Sequence, residues 1–223
     1  MLRKKGGAAM KDIPMFTTVY GVASLILKEI PYKAIAYVKL LSSLEPEKLL
    51  HECIQFCRMC GAEIIDATGD PILEKYPLTT AIYSMQCPRD ALSNTDACLF
   101  PVTERTLTQW LEIYNERMAS VPNSAYMDSH DGKQLLKTGD GYFVHMQGQL
   151  LGIGKASGDT VDAVISLVPG QGEIVLRTLV TALNCDMVHL LVADANTRAI
   201  RLYERLGFVK TAEVSHWYRV LKR

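Results

Sequence analysis

The chain lacks net charge, and 24 lysines and arginines against 24 aspartates and glutamates leave no broad basic cluster of the kind that grips nucleic acid. It also lacks a long apolar run. Val19 to Leu27 is the longest candidate near the start, Lys28 and Glu29 interrupt it, and a membrane span needs roughly 20 such residues. Met1 to Lys5 is basic, but the stretch Gly6 to Met10 is too short for a secretory core and Lys11 and Asp12 follow it. No nucleic acid and no membrane are therefore expected as partners, and the expected location is cytoplasmic. Without a secretory context, six cysteines argue for reduced thiols rather than a disulfide framework.

What is present is an ordinary globular composition, 48% apolar, in a chain long enough for one large domain or two small ones. Residues 1–16 read as a loose tail. Thr17 to Leu27 and Ala34 to Leu41 are strand-like, with Pro31 between them. Pro46 to Cys60 is an amphipathic helix, with Pro46 in its first turn and Gly61 just past its end. Cys53, Cys57 and Cys60 have a spacing that iron–sulfur proteins use, yet they fall on the apolar face with Leu49, Leu50 and Phe56. The helix reading makes them core, and no metal is expected. A strand at Glu63 to Ala67, a brief helix at Ile72 to Tyr76 and a strand at Thr79 to Gln86 complete a first lobe, 17–87. Residues 88–96, with proline, serine, asparagine and aspartate, read as a linker.

The second domain, 97–223, begins with a strand at Ala97 to Val102. Helices follow at Leu107 to Met118 and Lys133 to Lys137, then a hairpin of Tyr142 to Met146 with Leu150 to Ala156. The stretch from Thr160 to Phe208 is the most informative. A strand, Val161 to Val168, carries Ala163, Ile165 and Leu167 on one face and Asp162, Val164 and Ser166 on the other. It stops at Pro169-Gly170-Gln171-Gly172, a tight glycine turn. Val175, Leu176, Leu179, Val180 and Leu183 then recur at helical spacing. After a short strand at Met187 to Ala193, a second helix runs from its N-cap Asn196 to Leu206 and is closed by Gly207. Lys210 to Val214 and Trp217 to Leu221 read as closing strands. Asn196, Ala199, Tyr203, Gly207 and Phe208 stand in the pattern N-x-x-A-x-x-x-Y-x-x-x-G-F.

At these residues the sequence resembles the GNAT superfamily of acyl-coenzyme A dependent N-acyltransferases, over residues 97–223. The resemblance implies an α+β fold, a mixed, mostly antiparallel central sheet flanked by helices. The helix, strand, short helix, strand order in 17–87 suggests a smaller, truncated GNAT-like lobe before it. The resemblance further implies an N-acetyltransferase that moves an acetyl or short acyl group from acetyl-coenzyme A to a primary amine by direct attack. The alternative is a catalytically silent acyl-coenzyme A binding module. By resemblance Tyr203 is the acid that protonates the departing thiolate. Leu167, Val168, Pro169, Gly170, Gln171, Gly172, Asn196 and Ala199 contact the donor, with the diphosphate at Pro169 to Gly172 and an amide near Leu167 or Val168 polarising the thioester carbonyl. The glycine loop is shorter than the family's, and Glu173 in the next helical turn would repel a diphosphate. Glu116, Asp128 and Asp131, in the acceptor-side segment, would favour a cationic amine. For the general base, Asp162, His145, His189, His216 and ordered water all stay open. A homodimer stays open too.

Overall fold

A computed structural model describes residues 12–92, 95–121 and 123–222. Along them run β1 (Ile13–Thr18), β2 (Gly21–Ile26), α1 (Ile30–Lys33), β3 (Ile35–Ser43), α2 (Pro46–Met59), β4 (Ile64–Thr68), a 3-10 turn at Pro71–Lys75 and β5 (Leu78–Pro88). After a second 3-10 turn, Arg89–Ala91, come β6 (Cys98–Pro101), α3 (Leu107–Met118), α4 (Ser129–Thr138), β7 (Gly141–Met146) and β8 (Gln149–Ser157). The chain ends with β9 (Thr160–Ser166), α5 (Gly172–Val180), β10 (Met187–Ala193), α6 (Thr197–Arg205) and β11 (Val209–Lys222). Among the described residues no helix is long and apolar enough to cross a membrane.

The chain forms two compact units, one up to Ala81 together with Ser215 onwards, the other Ile82–Val214. The boundaries fall inside β5 and β11. The expected tail lies partly outside the described residues, and its last part, from Ile13, is strand β1 instead. Likewise Thr17 to Leu27 is a hairpin arm rather than one strand: β1 turns at Val19 and Tyr20 into β2, and the two pair antiparallel. The two closing strands are one, β11, whose segment from Tyr218 to Lys222 pairs antiparallel with β4.

In the first unit the sheet order is β1-β2-β3-β4-β11. β3 and β4 run parallel and stay paired at five successive positions, Ile35↔Ile64 to Lys39↔Thr68. Leu25, Val38, Leu49, Cys53, Cys57, Ile65 and Leu73 form the core between this sheet and α2. Burial pushes the thiols of Cys53 and Cys57 up to about 12, so they sit as neutral core groups. Asp66 of β4 is buried and receives both Nε and Nη2 of Arg219, the latter at 3.2 Å.

In the second unit the order is β5-β10-β9-β8-β7-β6. Helix α5 packs on one face through Val175, Leu176 and Leu179, with Met85, Val144, Leu151, Val188 and Leu190 beneath it. It lies close because β8 carries Gly154, where a Cβ would overlap Leu179. On the other face Trp110 and Tyr114 of α3 and Leu135 of α4 meet Phe143, Ile153, Ala163 and Ile165. From Ala163 on, the faces of β9 are those its alternation predicts, Ala163 and Ile165 to α3 and Val164 to the α5 side, whereas Val161, before a register shift, also packs on the α5 side.

Candidate active site

The strand β9 owes its importance to what it does not pair with. It meets β8 antiparallel at six positions, from Thr160↔Ser157 to Ser166↔Gly152. Its parallel neighbour β10 meets it at one, His189↔Thr160, while β10 pairs with β5 along seven positions from Met187↔Pro88 to Ala193↔Ile82. Beyond Thr160, β9 and β10 diverge. Leu167 N–H donates to the Leu151 carbonyl at 2.8 Å. Antiparallel alternation then turns the amides of Ala163 and Ile165 to β8 as well, and those of Val164 and Ser166 to the open edge. Of the two amides expected to face a donor, that of Leu167 is thus consumed by the sheet.

The loop after β9 is shaped by one carbonyl. Val168 C=O accepts from Ser166 Oγ at 2.7 Å and from Gln171 N–H at 3.2 Å, and Gly170 takes φ +83°, a left-handed value that favours glycine. The first intrahelical bond of α5 is Val175 N–H to the Gln171 carbonyl. The amides of Gly172, Glu173 and Ile174 therefore point out of the helix start without intrahelical partners. Glu173 is no bare anion there: it accepts from Arg177 Nε at 3.0 Å and lies 3.6 Å from Arg205. The repulsion expected of Glu173 is offset by these two cations.

On α6 the N-cap is Asn196, whose side-chain oxygen accepts from Ala199 N–H at 3.3 Å. Gly207 follows the helix with φ +91°. Tyr203 is 8% exposed, and its ring lies 5.8 Å from that of Phe208. Burial alone raises its phenol to about 12, so the hydroxyl stays protonated through the physiological range.

These elements enclose a cleft of about 450 Å³, wholly within the second unit. Its walls are Val164 to Ser166 of β9, Gly170, Gly172 and Glu173, then Asn196, Arg198, Ala199, Leu202, Tyr203 and Arg205 of α6, and Arg117, Met118 and Val121 at the end of α3. Of the residues expected from sequence, Gly170, Gly172, Asn196, Ala199 and Tyr203 come together here. Leu167, Val168, Pro169 and Gln171 do not line it. None of Asp162, His145, His189 and His216 does either. Asp162 holds Lys155 at 2.8 Å, His145 lies against Phe100, His189 is 3.9 Å from Asp159, and His216 belongs to the other unit.

None of the three acidic residues expected near an acceptor, Glu116, Asp128 and Asp131, lines the cleft. Asp128 accepts from Asp131 N–H, and Asp131 in return accepts from Asp128 N–H, a capping box that starts α4. The charges that do line the cleft are Arg117, Arg198 and Arg205 against Glu173, a setting for an anion. Arg198 and Arg205 were not among the site residues expected from sequence. Their spacing with Leu202, at i, i+4 and i+7, was the available signal, since Leu202 is the side chain that approaches Gly172.

No protein-family model matches the chain, and no curated protein matches it in sequence. Solved structures match it in fold. A functionally unknown conserved protein of Staphylococcus epidermidis aligns with TM-score 0.59 and 16% identity over 93% of this chain and 92% of its own. A GCN5-related N-acetyltransferase of Kribbella flavida aligns with TM-score 0.56 and 12% identity over 90% of this chain, which spans 56% of that protein. A tandem GNAT protein from the clavulanic acid biosynthesis pathway gives TM-score 0.52 and 12% identity over 90% of this chain and 78% of its own. At these identities the likeness is one of fold: mixed sheet flanked by helices, GNAT-like.

Proposed function

We propose that the chain is an N-acyltransferase that moves an acetyl or other short acyl group from acetyl-coenzyme A to a primary amine by direct attack. The observation that carries this reading is the meeting, in one cleft, of an unpaired strand edge, an open helix start and a buried phenol. The outward amides of Gly172 to Ile174, aided by Arg198 and Arg205, receive the diphosphate. The amides of Val164 and Ser166 hydrogen-bond the donor's arm and polarise the thioester carbonyl. The amine nitrogen attacks that carbon, the C–N bond forms, the C–S bond breaks, and the sulfur leaves with the electron pair.

Tyr203 serves that sulfur. A phenol at about 12 would transfer its proton uphill to a thiolate whose conjugate thiol lies near an ordinary value of roughly 8.5. Its contribution is therefore a hydrogen bond to the developing thiolate, and the surplus proton of the attacking nitrogen leaves through water to balance the charge. We read the 17–87 stretch as a truncated counterpart without a site of its own.

One observation favours a second reading, an acyl-coenzyme A binding module without turnover: none of the expected histidine or aspartate bases lines the cleft. Thiol release from acetyl-coenzyme A, measured over a panel of amines and paired with calorimetric titration of the donor, separates the two. Binding with turnover on some amine supports the enzyme. Binding without turnover on every amine supports the module, and no binding removes both.

A further inference from the structure

Three of the four walls of the cleft are used by the donor reading: the β9 edge, the start of α5, and α6. The fourth, the end of α3, is left over. It consists of Arg117, Met118 and Val121, one cation beside two apolar side chains. This wall is fixed to its helix, because Val121 N–H and Ser124 Oγ both donate to the Met118 carbonyl, and Ser124 N–H donates to that of Val121. Asn115 holds the following segment by a pair of 2.9 Å bonds to Met127.

Among the described residues Arg117 has no ion-pair partner, although acids lie close in sequence. Asp128 and Asp131 satisfy each other at the start of α4, and Glu116 does not line the cleft. A guanidinium at the rim of a cleft, with no carboxylate of its own and a planar fork that matches one, is a ready oxyanion receptor. We infer that the acceptor is zwitterionic: a primary amine that also carries a carboxylate on an apolar body, such as an apolar amino acid or short peptide. Arg117 takes the carboxylate, and Met118 and Val121 take the apolar part. This rests on the acyl-transfer reading and reverses the cationic acceptor that the acidic segment suggested.

The test compares acceptors that differ only in the carboxylate, an apolar amino acid or dipeptide against its amide, at one ionic strength. In the same buffers the matching N-acetylated compounds are titrated calorimetrically into the protein, with and without coenzyme A. The carboxylate member is expected to be favoured at least about tenfold in kcat/KM and in affinity, the scale of one hydrogen-bonded charge. Arg117→Gln should bring both ratios close to one, and Arg117→Lys should restore part of each. A role for Arg117 confined to the C-terminal dipole of α3 would move the melting temperature and leave the ratios alone, which overturns the inference. Equal ratios in the parent, or no binding of any N-acetylated compound, overturn it too. Absence of turnover with every acceptor removes the acyl-transfer reading alone, because the titrations still decide what Arg117 recognises.

Discussion

The chain builds one motif twice and finishes it differently. In the first unit β3, α2 and β4 make a parallel strand–helix–strand, and in the second β9, α5 and β10 make another. The first is closed: β3 and β4 share five ladder positions, and the buried Asp66 is answered by Arg219. The second is open: β9 and β10 share one position and then part. The elements after the second strand of each motif differ in step. A single 3-10 turn at Pro71–Lys75 sends Leu73 into the core of the first unit, whereas α6 brings Tyr203 to a cleft in the second. A backbone amide spent on a neighbouring strand stabilises the fold; the same amide at an open edge is available to a ligand.

Substitutions can break that contrast. The largest effect is expected in the closed half. Asp66→Asn leaves the partly buried Arg219 without its charge partner, and about 3 kcal/mol of stability should be lost by denaturant unfolding. Donor affinity by calorimetry should hold, and a parallel drop in affinity would mean the closed half shapes the site. In the open half Tyr203→Phe removes the hydrogen bond to the leaving sulfur. Turnover should fall about 10- to 100-fold while donor affinity and melting temperature stay close to the parent. A mutant as fast as the parent would remove the phenol from the mechanism.

A smaller change is expected at the helix start. A Cβ on Gly172 would lie 3.2 Å from Leu202, and the branches of a valine would fill the mouth of the cleft. Gly172→Val should weaken donor binding about tenfold, roughly 1.4 kcal/mol, with little change in melting; unaltered affinity would put the donor elsewhere. The gentlest contrast is pH. Cys53 and Cys57 of the first unit rise from about 9 to about 12 and Tyr203 of the second from about 10 to about 12, all through burial. Groups held neutral in the fold contribute fully below their unfolded values and lose that contribution as pH climbs towards the folded ones. Cys87 and Cys185 of the second unit are raised by burial as well, so both units should weaken from about pH 9, and the first should lose more because its two thiols are held up to about 12. Trp217 and Trp110, one tryptophan in each unit, report the two losses by fluorescence in single-tryptophan variants. A greater loss at Trp110 would reverse the comparison.

Much of the local structure was legible in the sequence. Asn196 and Gly207 bound α6, the Pro46 helix carries its cysteines inward, and the faces of β9 follow its alternation from Ala163 on, since caps, turns and periodicity act over a few residues. The motif that ends in Phe208 likewise put Tyr203 forward, and the cleft includes it. The misreadings were of two kinds. The capping of α4 by Asp128 and Asp131, the Arg177 partner of Glu173 one helical turn on and the Val19–Tyr20 turn are local features that were passed over, whereas the bond from Leu167 N–H to Leu151 and the approach of Arg205 to Glu173 join residues distant along the chain. Sequence determined the ends of α6, the inward face of α2 and the faces of β9 from Ala163 on. Only the tertiary structure decided that β9 and β10 separate after a single pair and that Arg117 joins their cleft from another helix. Which edge finds a partner depends on residues distant along the chain, and no local pattern records it.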